Sequence, residues 1–172
     1  MLGILQQAAK HLSLTDVVFK KYPAPILKGE YCGYKIALEG GLRKKDRFLA
    51  IIELPEPVSE RIFIQSEKRK TSLKPIARLK LAATGDGGFD GTFLVLASSP
   101  ALARAVFQPY LREKILSLSL KDWQMDVHGG EAHLDLRMES PDAGSLAALL
   151  SVVFELLNGL SAASKVLSAS TE

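Results

Sequence analysis

Two imidazoles and two carboxylates fall within eight residues of this chain, at Asp126, His128, Glu131 and His133. Such a set can in principle hold a divalent metal. Alternatively, it can make two cross-strand charge pairs on a solvated strand face, each worth ~0.2–1 kcal/mol. The spacing favours charge pairs, so no metal is expected there. Asp86 and Asp90 bracket Gly-Gly-Phe in a second acidic segment. A flexible acidic loop can bind calcium or line an active site, but this one lacks the alternating oxygen ligands and distal glutamate of an EF-hand. The simpler expectation is a tight turn into a strand beginning at Gly91, with glycines supplying backbone freedom.

Nucleophile chemistry finds no support. Cys32 is the single cysteine, in an alternating run that puts Tyr34, Ile36 and Leu38 on its face, and is expected in the core. His11 falls on the polar side of a helical stretch. Gly85 to Gly91 lacks the Lys-Ser/Thr ending and strand-loop-helix context of a phosphate loop. The sequence therefore assigns no catalytic, cofactor-binding or metal-ligating residue, and points to a binding role over an enzymatic one.

The element that would position the histidine patch is a hairpin. A two-residue turn at Gly129-Gly130 sets His128 opposite Glu131, Asp126 opposite His133 and Asp122 opposite Arg137. The same register puts Trp123, Met125 and Val127 on one face with Ala132, Leu134 and Leu136. A slip by one residue would turn that apolar set into water, so the register should hold. Period-two runs at Asp16–Lys21, Glu30–Glu39, Arg47–Leu54, Arg61–Ser66 and Ile76–Ala83 read as further strands. Tyr22-Pro23-Ala24-Pro25, Gly40-Gly41 and Pro55-Glu56-Pro57 punctuate them.

Helices are expected at both ends and in the second half. Leu2, Leu5, Ala9 and Leu12 recur at helical spacing. Ser99-Pro100 is an N-cap followed by a proline whose missing amide would be orphaned anyway. Pro109 falls ten residues on and should break that helix, starting a second piece that carries Leu111, Ile115 and Leu118 inward. Ser140-Pro141-Asp142 opens the last helix, with Asp142 favourably placed for the helix dipole. That segment, Ala143 to Ser164, approaches the length of a bilayer span. However, Glu155 and Asn158 sit near its middle, and Leu146, Leu149, Leu150, Val153, Leu157 and Leu160 form one stripe opposite small and polar residues. A buried amphipathic helix is expected, with no transmembrane span.

Composition supports one globular unit. The chain has 172 residues, 47% hydrophobic and 24% charged, long enough to bury roughly 70% of its unfolded surface. With a single cysteine there is no internal disulfide, and the start of the chain lacks a secretory signal pattern, so a cytoplasmic setting is expected, at most along the inner face of the membrane. Charge is uneven: Met1–Asp86 holds 16 Lys and Arg against 9 Asp and Glu, net +7, whereas Gly87–Glu172 holds 6 against 10, net −4. Arg61, Lys68, Arg69, Lys70, Lys74, Arg78 and Lys80 face Glu67 alone in the most basic stretch. It could meet phosphates of nucleic acid or of an anionic membrane, or simply be a solvated face.

The run GDGGFDGTFLVLASSPALARAVFQPYLREKIL, Gly85 to Leu116, resembles an uncharacterised bacterial domain family. There a Gly-Asp, a Phe-Asp, an alternating strand, a proline-led helix with Ala-Arg-Ala and a second proline-led helix follow in that order. The resemblance extends over nearly the whole chain and implies a fold without naming an activity or site residues. Some of those proteins carry hydrophobic helices ahead of the domain, which this chain lacks. The reading is therefore a single α+β domain over residues 1–172. A mainly antiparallel sheet carries two helices of the second half on one face, with a short N-terminal helix at an edge or end. Its expected role is that of an accessory domain that binds a protein partner; nucleic-acid or anionic-lipid binding through Lys68, Arg69, Lys70, Lys74 and Arg78, or a metal-dependent enzyme, are the alternatives.

Overall fold

A computed structural model describes residues 1–21, 24–41, 47–66, 79–119 and 122–169. The chain is α+β, in the order α1 (Leu2–His11), β1 (Thr15–Lys20), β2 (Ile26–Tyr31), β3 (Tyr34–Gly40), β4 (Arg47–Ser66), β5 (Lys80–Leu81), α2 (Gly87–Thr92), β6 (Phe93–Ala97), α3 (Pro100–Val106), α4 (Pro109–Ser117), β7 (Trp123–Arg137) and α5 (Ala143–Ala169). Every strand pairing among the described residues is antiparallel.

Strand β7 turns back on itself. Straight, its residues would put Asp122 and Arg137 about 50 Å apart at ~3.3 Å per residue. Instead the Arg137 amide donates to the Asp122 carbonyl at 2.8 Å, and the rings of His128 and His133 stack with centroids 5.7 Å apart. The turn falls at Gly129, whose φ of +60° glycine adopts without strain. This is the hairpin expected from the sequence, in the expected register.

Strand β4 follows from that. Its first half pairs with the second arm of the hairpin, from Arg47↔Arg137 to Glu53↔Glu131, and its second half with the first arm, from Ile62↔Val127 to Gln65↔Gln124. The hairpin arms run in opposite directions and each is antiparallel to its β4 partner, so the two halves of β4 also run in opposite directions. β4 passes over the hairpin tip, where Val58 meets Gly129. Pro55 and Pro57 suit that crossing, since neither has an amide to leave unpaired. In space the sheet reads β1, β2, β3, first half of β4, the two arms of β7, second half of β4, β6, β5.

One face of this sheet is sealed. Leu27, Leu38, Phe48, Ile52, Ile62, Ile64, Met125, Val127 and Leu136 point into a core that α5 also enters with Leu146, Leu149, Leu150, Leu157 and Leu160. α5 is apolar enough to resemble a membrane span, yet 61% of its most apolar window is buried inside the protein. Contacts to α5 come from α1, α3, α4 and β4. α1 lies on the same face over β2 and β3, toward the β1 edge. Ser99 accepts from the Leu102 amide at 3.2 Å to start α3, and the chain breaks before Pro109 as expected.

Three expectations need correction. Glu30–Glu39 is not one strand: it is the end of β2 and most of β3, joined by a two-residue turn at Cys32-Gly33, with φ of +49° and +85°. Cys32 is accordingly exposed and not in the core. The segment after Asp86 is a short helix, not a turn, and the strand starts at Phe93, not Gly91. Of the expected Ile76–Ala83 strand, residues 76–78 lie outside the described residues, and the paired part is Lys80–Leu81.

Candidate functional site

The opposite sheet face carries no helix among the described residues. Pairing register defines a row of outward side chains across it: Val18, Lys28, Ala37, Ile51 and His133, then Asp126, Phe63, Leu96 and Leu81. Side chains beside this row open a groove of about 510 Å³, lined by Ile26, Ala37, Leu49, Ile51, Phe63, Gln124, Asp126, His133 and Asp135 among others. Ile51 is 44% exposed although it sits in a central strand. Strands buried on both faces do not leave such a residue in water, so the face is half-buried at most.

All four residues of the histidine patch meet here, but each imidazole lies against the carboxylate two residues away on its own arm and not, as expected, against the one across the hairpin. His133 Nε2 lies 2.9 Å from a Glu131 carboxylate oxygen, and His128 Nδ1 lies 4.0 Å from an Asp126 oxygen. Two arginines that the sequence reading did not connect to the patch complete it. Arg61 grips Asp126 with Nε and Nη2, the Nε contact being 3.0 Å, and Arg47 grips Asp135 through two contacts of 3.0 Å. The hydrogen bond to Asp126 holds the Arg61 guanidinium above its ordinary pKa. Each arginine comes from one half of β4 and each aspartate from one arm of β7, so both flanks of the hairpin carry a forked pair. The signal that could have found them was available once β4 was set beside β7: Asp126, His128, His133 and Asp135 alternate outward, which brings outward arginines on the flanking strand within reach of the aspartates.

This geometry limits the chemistry. With Asp126 neutralised by Arg61 and Glu131 turned to His133, no three His, Cys, Asp or Glu side chains among the described residues converge on a metal position. Among the described residues each imidazole lies against a carboxylate, Glu131 for His133 and Asp126 for His128.

Asp86 and Asp90 are occupied elsewhere. Asp86 caps α2, accepting from the Gly88 and Phe89 amides at 3.0 and 3.1 Å, and lies 3.4 Å from Arg112 Nε. Asp90 accepts from the Thr84 amide at 3.0 Å and its hydroxyl at 2.8 Å. Between them Phe89 is fully buried, stacked on Phe93 and tilted against Phe107. The segment is a clasp that fixes β6 and the helices to the core. Lys68, Arg69, Lys70, Lys74 and Arg78 lie outside the described residues; Lys80 sits in β5, and Arg61 is paired to Asp126.

Comparison with known proteins gives a fold and no more. No protein-family model and no curated protein matches the chain. Among solved structures, that of the mycobacterial trehalose monomycolate transport factor A, TtfA, is similar with a TM-score of 0.62, over 92% of this chain and 94% of that one, at 9% identity.

Proposed function

We propose that this protein is a cytoplasmic, non-enzymatic accessory domain that binds a protein partner across the open sheet face. The observation that carries the reading is the row through Ile51. Apolar side chains stay accessible in the middle of a sheet whose other face holds the core, and two of the charges beside them, Asp126 and Asp135, are already held in forked pairs. A surface of that kind gives a partner an apolar centre with a polar rim. The fold it shares with a transport factor supports an accessory role, and the resemblance of Gly85–Leu116 to an uncharacterised bacterial domain is compatible with it.

The test is co-purification from the producing cell with quantitative mass spectrometry. Leu49→Asp with Ile51→Asp should lose a partner that wild type and a Val166→Asp control both retain. Val166 suits the control because it is 65% exposed on α5, away from the face. Equal recovery from all three would remove the reading.

A further inference from the structure

Among the described residues the sheet ends on β5 at one edge and on the longer β1 at the other. β5 contributes two residues, whereas β1 contributes six, and beyond β1 there is no further strand among the described residues. One row of β1 backbone N–H and C=O groups therefore faces away from the sheet, as a template for another strand. Handedness identifies that row. The Gly40 amide on β3 reaches back to the Pro25 carbonyl, so residues on the core face of β3 bond toward β2. From Val18 on, β1 follows the same alternation: it meets β2 through its outward residues Val18 and Lys20, and Phe19 and Lys21 turn their peptide groups to the free edge, whereas Asp16, at φ of +50°, and Val17 lie in a bulge between Thr15 and Val18.

A cleft of about 370 Å³ runs beside that row, between β1 and α1, lined by Gln6, Ala9, Lys10, Leu14, Val17 and Phe19. Val18 is 52% exposed and Phe19 36%, consecutive apolar residues on opposite faces of the edge strand. A strand laid along the edge would cover both. Its charge is set too: Lys10 on the helix wall and Lys20 and Lys21 at the strand end are exposed and make no ion pair among the described residues, against Asp16 at the other end.

From this we infer that the β1 edge is a second binding site, which takes an extended acidic peptide segment of a partner protein by strand addition. Backbone bonds to Phe19 and Lys21, beyond the bulge, would hold it, alternate apolar side chains would enter the cleft beside Val17 and Phe19, and its carboxylates would meet the three lysines. This surface adjoins the open face at Val18 and Lys20 but lies at the sheet edge, three strands away from Ile51.

The experiment uses the full ¹⁵N-labelled chain titrated with a blocked heptapeptide alternating glutamate and valine. Amide shifts should concentrate at Ala9, Lys10, Val17 and Phe19. Lys10→Glu with Lys21→Glu should weaken binding about tenfold, the effect of reversing two rim charges. Methylating alternate peptide nitrogens should abolish binding to the unaltered chain, a result that holds even if the charge variant folds poorly. Equal binding of a lysine-valine heptapeptide, shifts centred on Leu49 and Ile51, or no shifts at about 1 mM peptide would each overturn the inference.

Discussion

Ile51 and Ile52 are neighbours in β4 that point to opposite sides of the sheet, and replacing each with alanine separates the sealed face from the open one. Ile52 is fully buried, with Ile36 and Ala132 as its cross-strand partners. Its truncation leaves a cavity that the small Ala132 cannot fill, at a cost of about 2–5 kcal/mol. Ile51 is 44% exposed beside Ala37 and His133. Its loss removes a cross-strand contact and little burial, so it should cost less than about 1 kcal/mol. With a urea dependence near 2 kcal/mol per molar, the midpoint should fall by about 1 M or more for Ile52→Ala and by less than about 0.5 M for Ile51→Ala. Urea unfolding followed by Trp123 fluorescence reads both. Equal losses, or a larger loss at Ile51, would mean that the outer face is packed against something and that the account of an open surface is mistaken.

The remaining predictions concern local devices. Asp142 accepts from the Ser145 amide at 2.7 Å, which lowers its pKa. A depressed carboxylate contributes stability that is full above the unfolded value of about 3.9 and fades as pH falls through the folded value. Asp142→Ala should therefore be less stable by about 0.5–1 kcal/mol at neutral pH, and thermal melts should show the gap closing as the pH falls below the unfolded value. Asp90→Ala leaves the buried Thr84 amide and hydroxyl without their carboxylate and should cost about 1–3 kcal/mol by chemical denaturation; calcium should not change the melting temperature of the wild type. Cys32→Asn places a residue that tolerates positive φ in the turn before Gly33, and should raise stability by about 0.5 kcal/mol in the same assay.

Legibility in the sequence tracked how local each signal was. The β7 hairpin could be read because Gly129-Gly130 sits at the centre of matched pairs, so one turn sets every partner out to Asp122 and Arg137. The α3–α4 break could be read because Pro109 cannot continue a helix, and α5 because its leucines keep one stripe. The Cys32-Gly33 turn was hidden: cysteine rarely takes φ of +49°, and the apolar alternation runs on through it. The short helix at Gly87–Thr92 was hidden because three of its six residues are glycines, poor helix formers, and what starts it is the Asp86 side chain. Of the candidate site, the four patch residues were visible, but their arginine partners were not. Arg47 and Arg61 join it only because β4 arches over the hairpin, a pairing between segments more than 60 residues apart.

Photo-crosslinking in the producing cell tests the central claim most directly, with a photoreactive amino acid placed at Ile51 or, separately, at Val166. The account predicts a discrete protein adduct from position 51 and none from position 166. An adduct from α5 alone, or none from the outward row of the sheet, would contradict it.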